Sequence, residues 1–385
     1  MTPLLNEVQQ EIAASTRRFA ADKVLPRAAE IDETDEFPHD LYAGMAGLGL
    51  FGISLPESVG GVGLDTICFS LAMEELARTS GAVANILAIP VEMIRLLNDS
   101  GSGFHKALIP DLVAGKIIAA TAVSEPGCGS DVAAITTVAR RDGSDYRITG
   151  VKAWLSLGLV SDFILIFAKT NPTLGAKGIS AFMVPRQARG VSFGRKERLL
   201  GMRGLATCAL SADDVRVPEE ARLGAENGAF RAAMSNFDYG RIAMASMALG
   251  MAQAAFEDSV LYARERIQFG KPIFEHQAVQ FMIADMAKDI AAARLLIHQA
   301  ARLHDLGLPF AKEAAIAKLF TTDIAMLHAT NAVQIHGGNG YSREYRVERI
   351  FRDVKLAQIY EGTNQIQRMI IARRVAKEFE TGAGP

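Results

Sequence analysis

The sequence predicts an α+β protein of three domains: a helical amino-terminal domain, a small central β-barrel or sandwich, and a carboxyl-terminal four-helix bundle. Apolar residues recur at helical spacing in the first third and again after Gly228, whereas short alternating segments occupy the middle. A chain of 385 residues with 49% hydrophobic content can bury the cores of two or three domains. We place the domains at 1–118, 119–228 and 229–385.

Composition and charge argue against several classes of protein. The formal net charge is −2, and neither sign accumulates in long blocks, so no electrostatic case for nucleic-acid binding follows. Cys68, Cys128 and Cys208 lie far apart in the chain, which suggests neither a thiolate metal site nor a disulfide framework. The seven histidines show no spacing typical of metal ligands, and we expect no metal. A reducing, intracellular compartment fits these features best.

The amino terminus and the overall hydropathy predict a soluble, cytoplasmic protein. The first 25 or so residues mix acids, bases and apolar residues at helical spacing, which indicates a folded helix and not a signal peptide. We find no stretch of about 18 apolar residues that would predict a membrane helix. The last five residues, TGAGP, are typical of a loose tail.

The first domain is predicted to be all-helical, because helix-breaking residues interrupt an otherwise helical pattern. The breaks lie at Phe37-Pro38, from Leu55-Pro56 through Gly63, at Ser80-Gly81, and from Ser100 through Gly103. The segment Gly47–Gly52 matches the G-x-G-x-x-G pattern of dinucleotide-binding folds, but that pattern is meaningful only between a strand and a helix. Here it follows a helical segment, so we interpret it as a helix end.

The central domain begins with a loop rich in turn formers, Val123–Asp131, where helices give way to strands. Its amides and hydroxyls could meet a polar ring or a phosphate, or the loop could simply join two domains. The predicted strands are the segments ITTVARR, YRITGVKAWL, FILIFAKT, ISAFMVP and CALSADDVRVP, the first two flanking an Asp142-Gly143-Ser144 turn.

Trp154, the single tryptophan, lies in the second of these strands. Strand alternation predicts that Trp154 and Ser156 share one face. An aromatic wall with a hydroxyl suits a flavin ring, although core packing is the more common role of a strand tryptophan.

In the third domain, helices are broken at Gly270-Lys271-Pro272, Gly307-Leu308-Pro309, Gly337-Gly338 and around Glu361. The segment Gln334–Tyr341 predicts a helix that ends in glycines. Glu361 stands between apolar residues and a glycine, just before a candidate helix N-cap at Thr363. Such a carboxylate is either a solvated acid at a helix start or a base.

These segments together resemble the acyl-CoA dehydrogenase family in their order and spacing. The match includes the Val123–Asp131 loop, the Trp154 strand, the Gln334–Tyr341 segment and the Glu361 segment, and also RERIQFGKP at 264–272 with EHQ at 275–277. It covers nearly the whole chain. The family's fold has the same order of helical, β and helical domains that the periodicity predicts.

The resemblance implies an FAD cofactor held by two sets of residues. The first set lies around the isoalloxazine ring and comprises Val123, Ser124, Gly129, Ser130, Trp154 and Ser156. The second set contacts the FAD of a neighbouring subunit, comprises Arg266, Phe269, Gln277, Gln334 and Gly338, and is completed by Thr363 and Gln365. The resemblance therefore also implies a homo-oligomer, at least a dimer and usually a tetramer.

The resemblance identifies Glu361 with the base that removes the proton α to the thioester carbonyl. Some family members carry the base at the position of Gly240, where this chain has no carboxylate. Arg241, Ser130 and Gly362 match substrate-contacting positions. The α proton is only weakly acidic, so catalysis needs a positioned base and stabilisation of the enolate charge. The β hydride passes to the flavin, the product is a trans-2-enoyl thioester, and the usual acceptor of the electrons is an electron-transferring flavoprotein.

The sequence departs from the family pattern at several positions that bear on the substrate. Leu200 and Leu205 replace a common lysine and serine, Arg346 replaces a proline, and the helix 85–95 is atypical for the lining of a pocket. Glu92 and Arg95 in that helix could recognise a polar acyl group, but charges three residues apart more often form a solvated pair. We therefore predict that neither belongs to the site.

Other activities on the same fold remain alternatives. They are acyl-CoA oxidation by oxygen, dehydrogenation of a carrier-protein thioester, desulfination and nitroalkane oxidation. A non-catalytic flavoprotein that binds nucleic acid is a further alternative, and it would need a basic face near the carboxyl terminus. The arginines and the lysine between Arg343 and Lys355 alternate with acids, which predicts a salt-bridged helix surface instead.

Overall fold

The computed structural model describes residues 5–380, so the predicted tail at 381–385 lies outside the described residues. The first third is helical, as predicted. Asn6 and Gln9 form a capping box at the start of the first helix, which confirms a folded helix near the amino terminus. The helices are α1 Glu7–Phe19, α2 Ala28–Thr34, α3 His39–Gly47, α4 Thr66–Ala77, α5 Gly81–Ser100, α6 Gly103–Lys106 and α7 Ile109–Val113.

The predicted helix breaks in this third are confirmed. The Ser80 side chain caps α5 by accepting a hydrogen bond from the Val83 amide at 3.3 Å. The G-x-G-x-x-G segment spans the end of α3 and a short 3₁₀ turn and follows no strand, so it lacks the context of a dinucleotide-binding motif.

The middle of the chain forms one seven-stranded sheet, with two strands that the sequence pattern did not predict, β1 and β6. The order is β1-β4-β2-β3-β7-β6, and β5 pairs with β4. Gly143, at φ +64°, turns the β2–β3 hairpin in a conformation that suits glycine. The strands are β1 Ala119–Ala122, β2 Val138–Asp142, β3 Asp145–Leu155, β4 Phe163–Lys169, β5 Ile179–Pro185, β6 Val191–Lys196 and β7 Cys208–Val217.

The last third is a helical bundle with a β-hairpin after its first helix. Up to residue 380 it has five helices where four were predicted, because the chain after Gly340 forms two shorter helices on either side of Glu361. The elements are α8 Ala229–Glu265, β8 Ile267–Gln268, β9 Lys271–Pro272, α9 Gln277–Asp305, α10 Ala311–His336, α11 Val347–Ala357 and α12 Asn364–Glu380. The domain limits 118 and 228 themselves stay predictions.

Helix α5 is the apolar centre of the molecule. By length and composition it could span a membrane, but 83% of its apolar window is buried inside the protein, as in a core helix. It packs against α8, the longest helix at 37 residues. At one end of this contact Gly81 lies against Met251, and at the other Gly240 lies against Glu92, so the two helices run in opposite directions.

The predicted salt-bridged surface between Arg343 and Lys355 is confirmed for Arg343, Arg346 and Arg352. The Arg346 guanidinium makes a bidentate ion pair with the Asp258 carboxylate, with N–O distances of 2.6 and 2.7 Å. Arg352 pairs in the same way with Asp32, at 2.8 and 2.6 Å. These cations are paired with acids from other elements, so they do not form a free basic face.

Candidate active site

Glu361 lies in a tight loop between α11 and α12 that points its side chain inward. Its backbone is left-handed, with φ +52°, and Gly362 follows at φ +82°. A positive φ is unfavourable for glutamate and is typical of functional positions that the surrounding fold enforces. Thr363 caps α12 by accepting a hydrogen bond from the Ile366 amide at 3.3 Å, as its sequence position predicts.

A buried lysine on α10 holds this loop in place. The Nζ atom of Lys318 donates hydrogen bonds to the carbonyl of Gly362 at 2.9 Å and to Oδ1 of Asn364 at 2.8 Å. The side-chain amide of Gln367 also donates a hydrogen bond to the Gly362 carbonyl, at 2.8 Å. The Lys318 side chain is fully buried. The loop conformation therefore depends on a contact between residues that are 44 positions apart.

The electrostatic surroundings suit Glu361 to act as a base. Burial raises its pKa, while the positive charges of Arg241 and then Lys318 oppose that rise. Its Oε2 atom is buried and has no hydrogen-bond partner among the described residues. Burial lowers the pKa of Lys318 to about 7, against the opposing effect of Glu361. Glu361 is therefore a half-buried residue with one enclosed and unpaired carboxyl oxygen, not a solvated acid at a helix start.

Arg241, predicted to contact substrate, is buried on α8 and forms an ion pair with Asp238 one turn earlier. Burial raises the pKa of Asp238, and the charge of Arg241 opposes the rise. Of the two positive charges that lower the Glu361 pKa, that of Arg241 has the larger effect.

The prediction that Glu92 and Arg95 form a solvated pair was wrong. Glu92 is only 9% exposed, and no Glu92–Arg95 ion pair occurs in the described part of the chain. Arg95 is stacked over the ring of Tyr239 at 3.8 Å from its centroid. The sequence pattern misled because the face of α5 that carries both charges turns toward α8, not toward solvent.

The Val123–Asp131 loop and the Trp154 strand lie side by side, as predicted. The Ala153 amide donates to the carbonyl of Ser124 at 2.9 Å. Lys152, fully buried in β3, donates to the carbonyl of Val123 at 3.0 Å and to Glu125 at 2.9 Å. This contact fixes the loop to the strand.

Glu125, a residue of the same loop, fixes it through hydrogen bonds to its own carboxylate. It accepts four hydrogen bonds, from the amides and hydroxyls of Thr136 and Thr137, at 2.5 to 2.9 Å. Burial alone would raise the pKa of Glu125, but the bonds from both threonines lower it to about 2. Glu125 therefore stays ionised opposite Lys152.

Trp154 projects from the end of β3 with 61% of its surface exposed. The expected strand alternation fails here, because Trp154 has φ +59°, the register shifts between Lys152 and Leu155, and the strand ends before Ser156. Leu155 is buried and Ser156 is half-buried. An exposed indole beside a loop of hydroxyls and amides suits a flat, polar-edged ring such as that of FAD.

The second predicted set of cofactor residues lies around the β8–β9 hairpin and the end of α10. Phe269 forms the hairpin turn with φ +52° and is 93% exposed. Tyr262 connects the two segments, because its ring stacks on His336 at 4.3 Å and its hydroxyl accepts from Asn339 at 3.0 Å. The exposed members of this set are Arg266, Phe269, Gln277, Gln334, Gly338 and Gln365.

In the part of the chain that the structure describes, no hydrogen bond, ion pair or ring contact joins this second set to the Trp154 loop and strand. An exposed phenylalanine and several exposed polar side chains are what a surface completed by another subunit requires.

Sequence reasoning missed two buried residues: Lys318, which holds the Glu361 loop, and Glu92 on α5. Lys318 lies in a run, AAIAKLF, whose apolar neighbours could have indicated burial of the whole helix. Glu92 lies within α5, a helix that is long and apolar enough to cross a membrane, and this apolar setting could likewise have indicated its burial. Asn85 on α5 is also buried, and neither polar atom of its amide has a partner among the described residues.

Known proteins match this chain over nearly its whole length. Family profiles described as acyl-CoA dehydrogenase N-terminal, middle and C-terminal domains match residues 6–116, 120–215 and 227–376. An acyl-CoA dehydrogenase of Bacillus subtilis is 43% identical over 359 residues, which cover 93% of this chain and 95% of that protein.

Two further relatives match this chain along nearly their entire length. A caffeyl-CoA reductase–Etf complex subunit of Acetobacterium woodii is 42% identical, covering 97% of this chain and 99% of that protein. The structure of butyryl-CoA dehydrogenase from Megasphaera elsdenii superposes with a TM-score of 0.95 at 37% identity, covering 98% of this chain and 100% of that one.

Proposed function

The chain belongs to the acyl-CoA dehydrogenase family of FAD-dependent oxidoreductases, and on that premise we propose that Glu361 is the base of its α,β-dehydrogenation. The observation that carries the proposal is the enclosed Glu361 carboxyl, whose Oε2 atom has no protein partner in the described part of the chain and whose pKa burial raises. A base of raised pKa holds an abstracted proton more firmly than a solvated carboxylate does.

Each residue of the proposed active site has a distinct role in the reaction. Glu361 takes the α proton of the acyl thioester, and Arg241 and Lys318 keep enough of it ionised to do so. Lys318 and Gln367 hold the Gly362 carbonyl, so the carboxyl keeps its position as it gains the proton. FAD, when bound, supplies the acceptor for the β hydride. Ser130, Arg241 and Gly362 are the proposed contacts to the substrate.

We propose that the flavin ring lies against Trp154, between the loop residues Val123, Ser124, Gly129 and Ser130 and the turn residue Ser156. The Lys152–Glu125 pair supports this placement because it fixes the loop beside the indole. A second subunit supplies the exposed set that includes Arg266 and Phe269, with Thr363 and Gln365 completing the site. The proposed assembly is a tetramer, with a dimer as the minimum.

The proposed electron acceptor is an electron-transferring flavoprotein. The name of the Acetobacterium woodii relative, a subunit of a complex with Etf, supports it. The same name describes a reductase, so the physiological direction of the reaction belongs to the proposal as well. The cytoplasm is the proposed location.

An anaerobic titration with acyl-CoA thioesters of graded length and branching tests the proposal. We expect at least one thioester to bleach the oxidised-flavin absorption, and we expect a purified electron-transferring flavoprotein to restore it. Rapid recovery with oxygen alone would point to an oxidase, and recovery with neither acceptor would contradict the proposed partner. Bleaching by a nitroalkane but by no thioester would contradict the dehydrogenase proposal itself.

A further inference from the structure

The dehydrogenation described above leaves one carboxyl group beside the base without a role, that of Glu92 on α5. Its side chain is 9% exposed, and in residues 5–380 it has neither a hydrogen bond nor an ion pair within 4.0 Å. Buried polar groups are nearly always paired, since leaving one unpaired is costly. An unpaired group inside an enzyme pocket is therefore a candidate contact for substrate.

The nearest cation on the same helix does not pair with Glu92. Arg95 donates from Nη2 to Nε2 of His304 at 3.0 Å and lies flat against the Tyr239 ring. Because Nε2 accepts this bond, the His304 proton is on Nδ1, which lies 2.8 Å from the hydroxyl of Thr66. This network holds the guanidinium in place, and Glu92 remains available.

The Glu92 carboxyl lies against Gly240 on α8. A Cβ atom placed on Gly240 would lie 2.9 Å from its Oε2 and 3.0 Å from its Oε1, so the missing side chain at Gly240 leaves the space that Glu92 fills. The charges of Glu92 and Glu361 act on each other, and both act on Tyr360. Glu92 therefore fills the space at Gly240, the position at which some members of the family carry the base.

The protonation state of Glu92 sets which group it can bind. Burial first, and the charge of Glu361 second, raise its pKa well above the ordinary value of a carboxyl group. A neutral carboxylic acid presents one O–H donor and one carbonyl acceptor. A hydroxyl group satisfies both, whereas a carboxylate would add a third acid to the site and an ammonium would require Glu92 to ionise.

We propose that Glu92 is a specificity-determining residue that hydrogen-bonds a hydroxyl substituent on the acyl group of the substrate. This inference rests on the proposed function, since the acyl pocket is defined by Glu361. A hydroxyl ligand for Glu92 explains why a helix as apolar as α5 carries an unpaired carboxyl on the face that packs against Gly240. The substrate class is a hydroxyacyl thioester, aliphatic or phenolic.

Binding of matched thioesters tests the inference without turnover. We would use the FAD-loaded Glu361→Gln protein and record the shift of the flavin spectrum with hexanoyl-CoA against ω-hydroxyhexanoyl-CoA. Phenylpropanoyl-CoA against its para-hydroxyphenyl form gives a second pair. One good hydrogen bond corresponds to about tenfold in affinity, so we expect one hydroxylated thioester to bind about tenfold more tightly than its partner.

Two substitutions at Glu92 in this background identify the source of the preference. Glu92→Leu should abolish the tenfold ratio, and Glu92→Gln, which keeps a donor and an acceptor, should retain most of it. FAD content and melting temperature report whether each variant is folded. A ratio near one in the parent, or a ratio that Glu92→Leu leaves unchanged, would overturn the inference.

Failure of the inference is distinguishable from failure of the proposed function. If thioesters bleach the wild-type flavin but the hydroxyl preference does not depend on Glu92, only the inference fails. If no thioester bleaches the wild-type flavin or shifts the flavin spectrum of the variant, the proposed function fails and the inference fails with it. If Glu92→Gln in the wild-type background slows flavin reduction equally by both members of a pair, Glu92 acts on the reacting centre, which contradicts a role in specificity.

Discussion

At the scale of single residues, the proposed role of Glu361 as a base depends on the charges around its carboxyl group. The carboxyl must be ionised to accept a proton, and its pKa lies above the ordinary value because burial outweighs the attraction of Arg241 and Lys318. The rate of flavin reduction should therefore rise as the pH increases through this raised pKa. Below about pH 7, where Lys318 is charged, its ammonium assists ionisation of Glu361.

We predict that Lys318→Met moves the midpoint of this pH profile upward. Removing the ammonium removes one of the two interactions that lower the Glu361 pKa, so a higher pH is needed to ionise the base. The measurement is the rate of anaerobic flavin reduction against pH by stopped flow. Lys288→Met, which removes an exposed ammonium on α9, is the matched control and should leave the midpoint in place. An unchanged midpoint in Lys318→Met would contradict the assigned electrostatics.

At the scale of secondary structure elements, one buried ion pair holds the proposed flavin loop. Lys152 in β3 and Glu125 in the loop are both buried, and removing one partner of a buried pair leaves an uncompensated charge. We predict that Lys152→Met lowers the free energy of unfolding by about 3 kcal/mol and weakens FAD retention. Denaturant unfolding of the apo protein and the FAD to protein ratio measure the two effects.

The same strand offers a matched control for that prediction. Arg147 in β3 pairs with Asp142 and Asp214 at the surface, and such exposed pairs contribute about 1 kcal/mol or less. Arg147→Met should therefore change stability little and leave FAD bound. Equal losses in the two variants would show that burial of the Lys152 pair is not what matters.

Helix limits were predictable from the sequence where glycine, proline or a capping side chain marks them. Ser80 and Thr363 both cap helices where their positions indicated. The strands β1 and β6 were missed because β1 has four residues and β6 alternates between half-buried and exposed positions, so neither shows a clear apolar pattern.

The candidate site was predictable only in part, because several of its interactions join distant segments. The position of Glu361 relative to Thr363 was readable in the sequence, but the contact of Lys318 with Gly362 depends on how α10 packs against the loop. The left-handed backbone of Trp154, which broke the expected alternation, is likewise imposed by its neighbours in the fold.

At the scale of the whole molecule, we propose that the cofactor site is shared between subunits. Phe269, in the turn of the β8–β9 hairpin, is 93% exposed in the single chain, and Tyr341 is 90% exposed. A second subunit that covers these rings would remove their apolar surface from water. The family resemblance implies a tetramer, which is the assembly that we expect of the 41.4 kDa chain in solution.

We predict that Phe269→Ser lowers the FAD content of the assembled protein, because it removes the aromatic group that one subunit offers to the cofactor of another. Leu174→Ser, which removes an exposed apolar side chain from the central domain, is the control and should retain FAD. Light scattering coupled to gel filtration gives the mass, and absorbance gives the FAD content. A monomeric wild-type protein that binds FAD stoichiometrically would contradict the shared site.

The most direct test of the central claim is a single-turnover comparison of the wild-type protein with Glu361→Gln. Both are loaded with FAD and mixed anaerobically with the best thioester from the titration. We predict that the variant binds FAD and thioester but loses flavin reduction by at least about a thousandfold, since an amide cannot accept the α proton and removal of a general base costs on that order. Flavin reduction in the variant at a rate near that of the wild type would show that Glu361 is not the base.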